Sequence, residues 1–214
     1  MNDLVIFDCD GVLVDSDRIA LRIYAELVEE LGLAMSRDEC LQSFLGIERQ
    51  ATLRMISQRI GRPVPEAWVE RFDAAVYAAF RTELVPMPGI IEVLESITRL
   101  TCVASNGSHE KMRFTLRLTG LYEHFVGRIF SADDVSHGKP APDLFHHAAR
   151  EMGVSNERCV VVEDSSAGVA AAKAAGMRVL GFAATTPASS LTEADTIFTT
   201  MPELRALLAE DAVI

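Results

Sequence analysis

Leu4-Val5-Ile6-Phe7-Asp8-Cys9-Asp10-Gly11-Val12-Leu13-Val14-Asp15-Ser16 carries the strongest fold signal in the sequence. A short apolar run ends in two aspartates one residue apart, with a glycine directly behind them. Side chains two apart on a strand share a face. Asp8 and Asp10 therefore leave the end of a buried strand together, while Cys9 turns away. A buried pair of carboxylates costs several kcal/mol unless a positive charge lies between them. The stretch requires a cation.

Outward from it, short apolar or β-branched runs recur at Thr101–Ala104, Arg128–Ser131, Val160–Val162, Arg178–Phe182 and Thr196–Phe198. Amphipathic segments of helical length separate most of them. That alternation predicts an α/β fold, a Rossmann-like parallel sheet covered by helices. The runs are apolar without alternation, as strands buried on both faces must be. The rhythm breaks between Asp17 and about Thr82, where only helical patterns occur. The first spans Asp17–Leu31, with Ile19, Ile23, Leu27 and Leu31 at four-residue spacing and Gly32 as its stop. Ser36 and Glu39 form a capping box. A third helix is expected over Arg49–Ile60, and a fourth from Pro65, in a first-turn position, to about Arg81. The expected organisation is a core made of residues 1–16 and 84–214, with residues 17–83 inserted as a helical domain. The competing reading packs these helices on the sheet within one domain.

The 214 residues are 49% hydrophobic and carry a formal net charge of -11. A sizeable core is expected, and the composition argues against global disorder. The acidic balance argues against nucleic acid or an anionic membrane as partner, although local charge can still suit an anionic substrate. The N-terminal residues lack a signal-peptide pattern, and no window approaches a transmembrane span. The four cysteines, Cys9, Cys40, Cys102 and Cys159, form no framework, which suits reduced core thiols in the cytoplasm. A monomer is expected.

Four polar clusters fall where strands end, the side of an open parallel sheet that binds ligands. They are Asp8-Cys9-Asp10-Gly11, Ser105-Asn106-Gly107-Ser108, Gly138-Lys139-Pro140-Ala141-Pro142-Asp143 and Glu163-Asp164-Ser165. Together they set four carboxylates, Asp8, Asp10, Glu163 and Asp164, against Lys139. Like charges within ~4–6 Å cannot all stay ionised uncompensated. Mg²⁺, which takes one or two carboxylates plus phosphate and water, is the natural remedy. With Lys139 it makes a site for a phosphoryl group, whose remaining oxygens Ser105 and the Asn106 N–H could hold. Each cluster alone is more simply a turn or a helix cap; the weight lies in their order and placement.

The pattern resembles the haloacid dehalogenase-like superfamily, in its subgroup of β-phosphoglucomutases, phosphoglycolate phosphatases and sugar phosphate phosphatases. Asp8–Ser16 matches the first motif, Ser105 the second, Lys139-Pro140-Ala141-Pro142-Asp143 the third, and Glu163-Asp164-Ser165 with Gly168 and Ala175-Gly176 the fourth. The helical stretch lies where the subgroup carries its α-helical cap. The resemblance implies that Asp8 is the nucleophile and takes the phosphoryl group as an aspartyl-phosphate. It makes Asp10 the acid for the leaving oxygen and then the base for water. Mg²⁺ would be held by Asp8, the backbone carbonyl of Asp10 and Asp164, with Glu163 assisting directly or through water. Ser105, Asn106 and Lys139 would stabilise the transferring group.

A dehalogenase of this superfamily lacks the second aspartate, because a leaving halide needs no proton, so Asp10 favours phosphoryl transfer. The subgroup's mutases carry a histidine five residues after the position of Asp15, where this chain has Ala20. Hydrolysis of a small phosphorylated metabolite, a sugar phosphate or phosphorylated sugar acid, is therefore expected ahead of β-phosphoglucomutase-like mutase activity. In Leu45-Gly46-Ile47-Glu48-Arg49, Gly46 and Arg49 match a cap loop that meets substrate in relatives, and Arg49 could grip a second anionic group. Two non-enzymatic readings are weaker. A phosphoacceptor domain keeps its acceptor aspartate apart from its acidic pair, and a regulatory protein on a decayed fold would not retain every reactive group.

Overall fold

A computed structural model describes residues 3–44 and 49–210. The chain runs β1 (Leu4–Phe7), α1 (Asp17–Leu27), α2 (Arg37–Phe44), α3 (Arg49–Ile60), α4 (Glu66–Glu83), α5 (Ile90–Ser96), β2 (Leu100–Ser105), α6 (His109–Leu118) and β3 (Ile129–Ser131). It continues with α7 (Asp143–Glu151), β4 (Cys159–Glu163), α8 (Ser166–Ala174), β5 (Arg178–Phe182), β6 (Thr196–Phe198) and α9 (Met201–Glu210). The strands form one parallel sheet in the order β3-β2-β1-β4-β5-β6. The chain leaves β1 towards β2 on one side and returns to β4 on the other. A crevice opens where strand order reverses, so the carboxyl end of β1 lies at the predicted ligand site.

Every residue of β1 is buried because both faces of the sheet are covered. Val5 and Phe7 face one apolar cluster, together with Val103, Val160 and Leu180. Leu4 and Ile6 face the other, with Cys102, Ala104, Val161 and Val179 beneath α7 and α8. The period-two side-chain alternation of a strand thus feeds two cores. The first core runs without a break into the block α1–α4. There Tyr24 stacks on Phe72 at 4.1 Å between centroids, Phe72 stacks on Trp68, and Trp68 donates Nε1–H to the Leu27 carbonyl at 3.0 Å.

The chain enters and leaves that helical block side by side. Asp15 N–H donates to the Val85 carbonyl at 3.0 Å, Met87 N–H donates to the Leu13 carbonyl at 2.9 Å, and Val14 pairs antiparallel with Pro86. The Ser36–Glu39 capping box forms, with Glu39 N–H donating to Ser36 Oγ and Ser36 N–H to Glu39 Oε2. Two helix ends differ from the sequence expectation. The first helix is α-helical only to Leu27; its last turn, Val28–Leu31, tightens to 3₁₀ before Gly32 turns at φ 86°. Pro65 sits at the N-cap of α4 rather than in its first turn, where its carbonyl accepts from Trp68 N–H. The four cysteines are buried and unpaired. Among the described residues, no helix is long and apolar enough to cross a membrane.

Candidate active site

β1 delivers Asp8 to the crevice, and Asp8 N–H continues the pairing by donating to the Val162 carbonyl at 3.0 Å. Gly11 then turns the chain at φ 76°. A Cβ there would stand 2.0 Å from Asp164 Oδ2, so only glycine permits both the turn and the Asp164 carboxylate beside it. Cys9 turns away, towards Thr115.

Lys139 Nζ donates to Asp8 Oδ1 and Glu163 Oε1, each at 2.5 Å, with all three side chains buried. The Phe145 ring lies 5.0 Å beneath the ammonium. Glu163 is in turn fixed through its other oxygen, which accepts from Ser165 N–H at 2.8 Å and Ser165 Oγ at 2.9 Å. Ser165 Oγ also caps α8 by accepting from Gly168 N–H. The N-terminus of α8 thus positions Glu163, Glu163 positions Lys139, and Lys139 meets Asp8. Asn106 secures the same lysine by its backbone, with Oδ1 accepting from Lys139 N–H at 2.8 Å and Nδ2 donating to the Lys139 carbonyl at 3.0 Å. Ser105, buried at the end of β2, accepts from Gly107 N–H at 3.2 Å.

Asp10 has partners of its own. Ser16 Oγ donates to Oδ1 at 2.6 Å and Lys111 Nζ to Oδ2 at 2.7 Å. Burial alone would raise the Asp10 carboxyl; the Lys111 charge and these hydrogen bonds outweigh it and hold it below the usual range. Asp8 moves the other way. Burial, reinforced by Glu163 and Asp10, pushes it up to about 7 despite Lys139. Asp164 is raised well above the usual carboxylate range by burial and then by Asp17, Glu163 and Asp8.

Asp164 Oδ2 is buried with no hydrogen-bond partner, an expensive state for a carboxylate oxygen. Hard carboxylate oxygens beside a crowded acid cluster suit Mg²⁺. Among the described residues, no three acidic, histidine or cysteine side chains form a ready-made metal cluster. The expected set does not need one, since it combines two carboxylates, Asp8 and Asp164, with a backbone carbonyl. Glu163 is engaged at both oxygens, by Lys139 and by Ser165, so its observed work is to hold the lysine.

Above these residues lies a cavity of about 470 Å³, bounded on the sheet side by Asp8, Asp10, Ser105 and Lys139 and on the helical side by Ala20, Tyr24, Arg49, Asp73 and Tyr77. Arg49 reaches it from α3 and forks one nitrogen onto both Asp73 oxygens, at 2.7 and 2.5 Å. Gly46 and the rest of its loop lie outside the described residues. His109, at the start of α6, pairs with Asp134 at 2.9 Å.

Two residues at the site went unmarked in the sequence. Lys111 sits in the first turn of α6, where a cation opposes the helix dipole, and that oddity was the available signal. Asp17, at the start of α1, reads as an ordinary helix-start acid, yet burial and the Asp10 charge push it up to about 6.

The family model for haloacid dehalogenase-like hydrolase matches residues 2–176. The 6-phosphogluconate phosphatase of Escherichia coli K12 is 34% identical over 183 residues, covering 85% of this chain and 83% of that one. A solved haloacid dehalogenase-like protein of unknown function from Agrobacterium tumefaciens C58 superposes with a TM-score of 0.89 at 35% identity, over 99% of this chain and 100% of that one. A HAD family hydrolase from Deinococcus radiodurans R1, solved with bound phosphate and sodium, gives 0.83 at 31% identity, over 100% and 97%.

Proposed function

The chain belongs to the haloacid dehalogenase-like hydrolase family, and from that premise we propose that it is a Mg²⁺-dependent phosphatase of a small phosphorylated sugar or sugar acid. The carrying observation is the end of β1. Asp8 sits there with Lys139 at 2.5 Å, and Asp10 stands two residues on with separate partners. Asp8 attacks phosphorus, its P–O bond forming as the ester P–O bond breaks, and becomes an aspartyl-phosphate. Asp10, an ionised carboxylate in the free site where Ser16 and Lys111 both donate to it, takes up a proton as the ester binds and gives it to the departing oxygen. It then takes one from the water that releases phosphate and restores Asp8. Lys139, Ser105 and the Asn106 N–H balance charge on the phosphoryl oxygens. Mg²⁺, held by Asp8, the Asp10 carbonyl and Asp164, would supply charge neutralisation to the attacking carboxylate and the phosphoryl group.

Residues 1–16 and 84–214 form the core of this reading, and residues 17–83 are a cap that closes over the cavity. Arg49 and Asp73 face the distal end of the substrate. The 6-phosphogluconate phosphatase relative supports a phosphorylated carbohydrate as the substrate class. Ala20 in the cavity wall offers no proton donor, which favours hydrolysis over a mutase cycle. A panel of sugar monophosphates and phosphorylated sugar acids, assayed for phosphate release with and without Mg²⁺, tests the reading. Release that needs Mg²⁺ is expected. No release from any ester, or full activity in Asp8→Asn, would overturn it.

A further inference from the structure

We propose that Lys111 is a positioning residue for Asp10, locking its carboxylate on the side from which the leaving oxygen departs. The inference rests on the phosphatase reading and adds to it a residue outside the four motifs.

Lys111 lies in the first turn of α6, where the positive end of the helix dipole disfavours a cation. Its placement therefore does not serve the helix. Its side chain, 31% exposed, crosses the crevice to Asp10 Oδ2 at 2.7 Å. The other oxygen, Oδ1, is held from the opposite side by Ser16 Oγ, the residue that precedes α1. Two donors from separate elements grip one carboxylate, so it cannot rotate about its last bond without losing both. Gly107 marks how close this assembly sits to the phosphoryl site. A Cβ there would lie 3.6 Å from Ser105 Oγ, 3.7 Å from Asp10 Oδ2 and 3.7 Å from Lys111 Cδ. The lysine stem thus packs over the glycine on which the second motif and the proton-handling acid converge. The two lysines divide the work: Lys139, buried, attends the nucleophile, and Lys111, part-exposed, attends the acid.

A group that positions the acid matters in proportion to how much the leaving group needs a proton. The test uses phenyl phosphate and p-nitrophenyl phosphate, similar in shape, of which only the second has a leaving group stable as an anion. First-turnover release of each phenol is measured with Mg²⁺ for the unsubstituted protein, Lys111→Met, Lys111→Arg, Asp10→Asn and the double variant. Lys111→Met should slow phenol release by about tenfold or more and nitrophenol release by less than about threefold. Lys111→Arg, which keeps the charge, should stay within about threefold on both. On the Asp10→Asn background, Lys111→Met should add less than about twofold, because the two residues act as one unit. Should Lys111→Met not fold, Lys111→Gln takes its place. Equal losses on both esters, a further loss in the double variant, or no loss at all would overturn the inference and leave the phosphatase reading standing. No release by the unsubstituted protein would overturn both.

Discussion

Asp164 carries a buried carboxylate oxygen without a partner, crowded by Asp17, Glu163 and Asp8. Such a group destabilises the fold unless a cation meets it. Asp164→Asn should therefore raise the metal-free melting temperature, by about 2–4 °C if the relief is near 1 kcal/mol, and abolish any rise on adding Mg²⁺. Differential scanning calorimetry with and without Mg²⁺ reads both effects. A metal-free protein destabilised by the change would contradict the crowding. Asp8 and Asp10 illustrate the same physics with opposite outcomes. One is buried among acids and rises to about 7, while the other is held by Lys111 and Ser16 and falls below its usual range.

Within the elements, α8 carries a second consequence. A Cβ on Gly168 would fall 1.8 Å from Glu163 Oε1, the oxygen that receives Lys139. Alanine is the better helix former by about 0.8–1 kcal/mol. Gly168→Ala should thus leave α8 helical by circular dichroism while lowering kcat/KM by about tenfold or more, because Glu163 and then Lys139 must move. Unchanged kinetics would contradict the positioning chain from α8 to Asp8. The strands were legible because burial on both faces leaves runs such as Val160–Val162 uniformly apolar, and the clusters at their ends stood in the order the sheet needs. Helix ends were less legible. The 3₁₀ turn at Val28–Leu31 keeps the same apolar spacing as the α-helix before it, so periodicity alone cannot mark the change. Lys111 was missed because its partner lies 101 residues away, and nothing local to α6 names Asp10.

For the molecule as a whole, the proposal assigns chemistry to the sheet and selection to the helices. Arg49 and Asp73 join α3 to α4 at the cavity, far in sequence from the four motifs. Both are exposed by more than 40%, so their pairing adds little to stability. Arg49→Ala should accordingly raise KM for the best sugar phosphate by about threefold or more, with kcat and the melting temperature nearly unchanged. An unaltered KM would remove Arg49 from recognition.

The central claim is that the phosphoryl group passes through Asp8, and rapid acid quench during turnover tests it most directly. Peptide mass analysis after borohydride reduction, which converts an aspartyl-phosphate to homoserine, locates the labelled residue. Homoserine is expected at position 8 in the protein turning over a sugar phosphate, and none in Asp8→Asn. A label at another residue, or rapid turnover with no label at Asp8, would contradict it.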